Sequence, residues 1–264
     1  TELYKSISQA SHLLALRDDY ALIDQDRLHP YRSGLFGAWR DEGGIVDKAV
    51  ISFDPDMINQ RTKALLAREL SLPSNYNKLS RDTIIYHWTN QFDAEVLLNY
   101  LHECVNQPGG DEHKELFDQI RKVTGLSVEQ IVDLFGNDLT LAVRALDPKQ
   151  LVPLPRFLLS VRSEDTARLK QVVDTLITHF NVPVQRKMMG QTELITWGGV
   201  VGIGAVLPSL LFGPASIIIS SNRQQIRRFL GVDRKQSLSD TERFKQMSPN
   251  LMQPSHSVTY LDFA

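Results

Sequence analysis

The chain has 264 residues, of which 42% are hydrophobic and 23% are charged, with a formal net charge of −2. These proportions are typical of a folded globular protein and exclude a collagen-like or intrinsically disordered chain. A near-neutral chain has no general electrostatic attraction to nucleic acid, so we expect no nucleic-acid partner. The single cysteine excludes an internal disulfide framework and a zinc site built from several thiolates.

A strand followed by an amphipathic helix is the order that recurs along the chain. Apolar runs over 49–53 and Thr83–Trp88 each predict a strand that leads into a helical pattern. The segment "RFLLSVRSEDTARLKQVVDTLITHF" repeats this order with Ser163 as the predicted helix N-cap. The segment "SIIISSNRQQIRRFLG" repeats it again. The recurrence predicts a fold built from repeated strand-cap-helix units.

A short helix and a strand lie between the second and third of these units. Ser127 and Gln130 have the spacing of a capping box, which predicts the start of a helix. The run "DLTLAVRAL" alternates as a half-buried strand does, and the loop to "RFLLSV" is too short for a helical crossover. These strands should therefore pair antiparallel. The mixture predicts an α+β fold, with antiparallel sheet(s) and amphipathic helices packed on one face.

The stretch from 196 to 221 contains no charged residue. Its length would suffice to cross a bilayer, but its glycines and prolines disfavour a continuous spanning helix. Its glycine spacing matches neither the dinucleotide-binding motif nor the P-loop motif. This region instead predicts three strands over Thr192–Trp197, Ser209–Phe212 and Ser216–Ser220, with a glycine-rich apolar loop over 198–206.

This loop has two interpretations that the sequence leaves open. Packed under a neighbouring element, it belongs to the core; exposed, it forms an apolar patch for a protein partner or for lipid headgroups. The arginines of the following helix suit an anionic membrane surface, although such arginines also commonly face solvent. The candidate binding residues for a protein or an anionic membrane surface are Trp197, Val200, Val201, Ile203, Arg223, Arg227 and Arg228.

No familiar catalytic signature occurs, since G-x-S-x-G, H-E-x-x-H and S-x-x-K are all absent from the chain. His102, Cys104 and His113 come nearest to a metal-ligand set, but positions two apart point to different sides of a helix. We therefore expect no catalytic residue, no metal ligand and no cofactor. The alternative is an enzyme or a small-ligand carrier whose site is assembled from distant segments.

Three motifs follow one another in the second part of the chain: "GNDLTLAV", the Ser237–Phe244 segment "SLSDTERF" and "YLD" at Tyr260–Asp262. In this order they resemble a bacterial domain-of-unknown-function family of exported, envelope-associated proteins. The resemblance covers about residues 79–264 and carries no catalytic residues with it. It implies an α+β architecture and an exported location in the periplasm or cell envelope, with a signal or anchor that precedes Thr1.

The resulting organisation has an N-terminal α/β segment over 1–78 and a main α+β module over 79–232. A C-terminal helix and strand over 233–264 follow, and the likeness of "SVTYLDFA" to "TIIYHWT" suggests that they begin a further module. The functional hypothesis is a non-enzymatic, envelope-associated binding or assembly module. Its partner would meet the sheet face or the apolar loop.

Overall fold

The computed structural model describes residues 31–41, 44–54, 56, 58, 60–106, 111–145, 156–190, 192–197, 207–231 and 237–262. The chain divides into two units, residues 1–67 and 68–264. In the first unit, strands β1 (Tyr31–Asp41) and β2 (Gly44–Phe53) pair antiparallel as a hairpin. Helix α1 (Gln60–Leu66) follows them.

The second unit is built on one antiparallel sheet. Its strands are β3 (Thr83–Thr89), β4 (Phe135–Arg144), β5 (Arg156–Ser163), β6 (Val184–Met189), β7 (Thr192–Trp197), β8 (Ser209–Phe212), β9 (Ser216–Ser220) and β10 (Ser257–Leu261). They form an eight-stranded sheet in the order β10-β3-β4-β5-β9-β8-β7-β6. Strands β6 and β10 are therefore the two edges of this sheet.

The helices of the second unit connect these strands. They are α2 (Ala94–Asn106), α3 (Asp111–Thr124), α4 (Val128–Val132), α5 (Thr166–His179), α6 (Arg223–Gly231) and α7 (Glu242–Leu251). Two single 3-10 turns, Tyr76–Lys78 and Leu238–Asp240, complete the elements of the described residues in this unit.

The α+β class and the antiparallel sheet are confirmed, as are the three strands predicted in the uncharged stretch. The capping box at α4 is also present, with Ser127 and Gln130 in their predicted roles. The predicted cap of α5 is wrong by two residues. Asp165 caps this helix by accepting the backbone N–H of Arg168 at 2.9 Å. Ser163 instead ends β5, and its hydroxyl donates to the carbonyl of Leu134.

Helices pack on both faces of the sheet, which corrects the expectation of a single covered face. Ile218 packs in one cluster with Ile226 and Phe229 of α6. Its neighbour Ile217 points the opposite way and packs with Leu169 of α5. The physical reason is that β8 and β9 are apolar on both faces, so each face needs its own cover. The strand-then-helix order recurs, but the pairing of these strands does not establish a repeated unit.

The segments at both ends of the second unit belong to the same sheet structure. Strand β10 (Ser257–Leu261) pairs antiparallel with β3 and so completes this sheet. Backbone hydrogen bonds join Ser71 and Ser255 in both directions, at 3.2 and 2.9 Å, and the Tyr86 hydroxyl donates to the Ser74 carbonyl at 2.8 Å. Residues 68–78 therefore lie within this unit, whereas the sequence placed the boundary after 78.

Candidate binding groove

A groove lies between helix α6 and the β6–β7 end of the sheet. Helix α6 packs against β5, β8 and β9, and it leaves the same face of β7 and β6 open. The groove has a volume of about 760 Å³. Its lining residues are Gln185, Arg186, Lys187, Met188, Met189, Gly190, Leu194, Thr196, Arg223, Arg227, Leu230 and Gly231. We call this site the basic groove.

The sequence of α6 fixes which of its side chains face this groove. The Asn222 side chain begins the helix by accepting the backbone N–H of Gln224 at 2.7 Å. Ile226 and Phe229 are buried and hold the helix on the sheet. Arg223 and Arg227 are four residues apart, so they lie one above the other on an exposed side of the helix. The helix thus presents two guanidinium groups to one wall of the groove.

The charged residues that line the basic groove are all cations. Lys187 lies on β6 opposite Leu194, so it contributes a third exposed cation from the floor to those of Arg223 and Arg227. Among the residues that the structure describes, no Asp or Glu lines the groove. Exposed cations without acidic neighbours attract anions, and this attraction weakens as the salt concentration rises.

The nearest acidic residues on these strands face the other side of the sheet. Lys170 Nζ lies 2.7 Å from Asp174 and 2.9 Å from Glu193, and Arg186 Nη1 lies 2.8 Å and 3.0 Å from the same two carboxylates. Burial would raise the pKa of Asp174, but its hydrogen bonds to Lys170 and Arg186 outweigh burial and lower that pKa. These acids are therefore held by Lys170 and Arg186 on the α5 side of the sheet and do not neutralise the groove.

Apart from its cations, the described lining of the groove is apolar except for the Gln185 amide and the Thr196 hydroxyl. Leu230 is 47% exposed at the rim, while Met189 is half-buried and packs against the core. The Ser209 hydroxyl donates a hydrogen bond to the Leu207 carbonyl. It therefore accepts a hydrogen bond from the Thr196 hydroxyl, which lies 3.2 Å away. The groove therefore offers cations on its wall and floor and apolar contacts between them, a pattern that suits an anionic chain with apolar side groups.

The structure separates the binding residues that the sequence grouped together. Arg223 and Arg227 lie in the basic groove. Trp197 packs on the opposite face of the sheet, in the cluster that contains Ile195 and Val184. Arg228 lines a different, small cavity of about 20 Å³ that Lys78 and Arg144 also line. Val200, Val201 and Ile203 lie outside the described residues.

Sequence reasoning missed Lys187, Met189 and Leu194. They lie more than 25 residues before α6, and only the sheet pairing brings them to this helix. The one local signal was the polar centre "QRK" of β6, since charged residues are typical of an edge strand. Nothing in that run indicates which helix it faces.

Within the described residues, no group of three His, Cys, Asp or Glu side chains is placed to hold a metal ion. His102 Nε2 lies 3.1 Å from Glu129, while the side chains of Cys104 and His113 lie outside the described residues. No helix in the described part of the chain is both long and apolar enough to cross a bilayer.

Comparisons of the chain with protein-family models, with curated proteins and with solved structures found no match.

Proposed function

We propose that residues 68–264 form a non-enzymatic binding module that holds an acidic segment of a partner protein in the basic groove. The observation that supports this proposal is the set of Lys187, Arg223 and Arg227 around one groove that no described acidic residue lines. Each cation attracts a carboxylate, and together they favour a chain that carries several carboxylates. The exported, envelope-associated setting is part of the proposal, and its support is the motif order over 79–264. Recovery of the native protein in a periplasmic or envelope fraction would test that setting.

The shape of the site favours a polypeptide over a membrane surface. The groove is concave, and its floor follows strand β6, which is six residues or about 20 Å long. A planar bilayer meets a protruding, flat surface best, whereas a groove beside a strand accommodates an extended chain. An acidic protein segment is thus the partner class that fits both the shape and the charge.

Reversing the charge of the groove wall should weaken the binding of an acidic polypeptide. We expect the wild-type full chain to bind poly-L-glutamate in isothermal titration calorimetry at low salt, and to bind more weakly as salt is added. The double variant Arg223→Glu/Arg227→Glu replaces two attractions by two repulsions. Since an exposed ion pair contributes about 0.2–1 kcal/mol, the affinity should fall about tenfold or more.

The matched control is Arg121→Glu/Lys122→Glu, which changes the net charge equally at exposed residues of the last turn of α3. The control should bind poly-L-glutamate as the wild type does. Equal binding by the groove variant and the wild type would overturn the proposal, as would binding only to phosphatidylglycerol vesicles. The vesicle result would identify an anionic membrane surface as the partner.

A further inference from the structure

We infer that the acidic segment binds by adding a ninth strand along the outer edge of β6, which no described strand occupies, with its acidic side chains turned toward Lys187, Arg223 and Arg227. This inference rests on the proposed function and specifies how the partner is held. Strand β6 is the last strand of the eight-stranded sheet and pairs with β7 on its inner side. An edge strand offers unpaired backbone groups to an extended chain.

The pairing of β7 shows which backbone groups of β6 face outward. The backbone N–H of Trp197 donates to the carbonyl of Pro208, which precedes β8, so at this residue the backbone of β7 points away from β6. Backbone direction alternates along an antiparallel strand, so Thr196 and Leu194 point toward β6. Their partners on β6 are Gln185 and Lys187, whose backbone groups therefore point inward.

By the same alternation, the backbone groups of Val184, Arg186 and Met188 point to the outer edge. A chain that lies antiparallel or parallel to β6 can bond to these residues without disturbing the pairing of β6 with β7. The interaction then has two components that can be measured separately: backbone hydrogen bonds at the edge and ion pairs in the groove.

Side-chain alternation predicts the kind of sequence that would bind. Every second residue of an added strand would project to the groove side of the sheet, the side on which Lys187 lies, and these positions should be acidic. The residues between them would project to the other side, where Arg186 is paired with Asp174 and Glu193 and Met188 is 61% exposed. Apolar residues suit those positions. The preferred ligand is an extended segment of alternating acidic and apolar residues.

Cationic side chains on an edge strand also keep sheets from pairing with each other. Lys187, with Arg223 and Arg227 beside it, would repel the same cations of a second copy, and these residues would equally repel any basic strand. An acidic strand is the class of chain that the same charges attract. Protection of the edge and selection of an acidic partner are therefore compatible roles for these residues.

The test uses the full chain and a fluorescent peptide of alternating Glu and Val, with binding measured by fluorescence anisotropy. The variant Met188→Pro removes one outward N–H and leaves the inward-facing groups of Gln185 and Lys187 in place. Met188→Ala keeps that N–H and serves as the matched control. We expect about tenfold weaker binding or more for the proline variant, and binding close to the wild type for the alanine variant.

The peptide provides a second, independent measurement on the wild-type protein. N-methylation of every second peptide amide, made in each of the two registers, should weaken binding in one register and spare it in the other. If both N-methylated peptides and Met188→Pro bind normally while Arg223→Glu/Arg227→Glu does not, strand addition is overturned and the proposed function stands. If the unmodified peptide and poly-L-glutamate both fail to bind the wild type, both proposals are overturned. Should Met188→Pro unfold, the N-methylated peptides decide.

Discussion

Replacing Phe244 with alanine should lower the free energy of unfolding of the 68–264 unit by about 3–5 kcal/mol. The Phe244 side chain is 1% exposed, so its removal leaves a cavity in the core. Its ring stacks on Tyr76 at a centroid distance of 5.8 Å and meets the edge of Tyr260 at 5.3 Å. The cavity would therefore loosen helix α7, strand β10 and the segment before β3 together.

Urea unfolding of the full chain, followed by circular dichroism, measures this effect. Gln246→Ala is the matched control because this residue lies on the same helix and is exposed. The control should unfold within about 0.5 kcal/mol of the wild type, as surface substitutions usually do. If residues 233–264 were a separate module, Phe244→Ala would leave the unfolding of the rest of the sheet unchanged.

Replacing Asp138 with alanine should lower the free energy of unfolding by about 1.5–3 kcal/mol, because it leaves the buried indole N–H of Trp88 without an acceptor. One carboxylate oxygen of Asp138 accepts the indole N–H of Trp88 at 2.9 Å, and the other accepts the hydroxyl of Ser74 at 3.3 Å. Trp88 is completely buried, so water cannot replace the lost partner without opening the core. Burial and the Asp138 carboxylate together raise the pKa of the neighbouring Tyr86.

A double-mutant cycle with Trp88→Phe tests this assignment. In the Trp88→Phe background the indole N–H is gone, so Asp138→Ala should cost measurably less than it does in the wild type. Asp138→Asn retains a side-chain oxygen to accept the Trp88 N–H and should retain part of the stability. Equal costs of Asp138→Ala in both backgrounds would show that this hydrogen bond does not stabilise the fold.

Asp138 and Phe244 also show how the sequence motifs that contain them contribute to the folded structure. Asp138 lies in "GNDLTLAV" and joins β3 to β4, while Phe244 ends the Ser237–Phe244 motif and fills the core. In the same motif, Ser237 donates to Asp240 at 2.7 Å and Leu238 is buried. The sequence pattern of these motifs is thus explained by packing and by internal hydrogen bonds.

Local patterns were sufficient to predict many elements of the second unit. The alternation in "DLTLAVRAL" and the apolar runs of β7, β8 and β9 gave the strands, because turns with glycine and proline separate them clearly. The reciprocal hydrogen bonds of Ser127 and Gln130 follow from their spacing alone. These features depend on residues close together in the sequence.

Features that depend on distant residues could not be predicted in the same way. The continuous apolar character of "SLLF" is consistent with burial on both faces, although the sequence analysis expected one covered face, and no local signal specifies that α5 covers one face and α6 the other. The basic groove also depends on distant residues. Lys187 lies near Arg223 and Arg227 only because the strands are ordered β9-β8-β7-β6 in the sheet. The arginines were predictable as candidates, and their cationic partner on β6 was not.

Mapping the contact of poly-L-glutamate on the protein by amide NMR tests the central claim most directly. A titration of the isotope-labelled full chain should shift the amide resonances of groove residues such as Lys187, Thr196 and Arg227. Arg121 and Lys122 on α3 serve as internal controls and should not shift. Shifts of equal size at these exposed cations, or no shift in the groove at saturating polyanion, would contradict the assignment of the basic groove as the binding site.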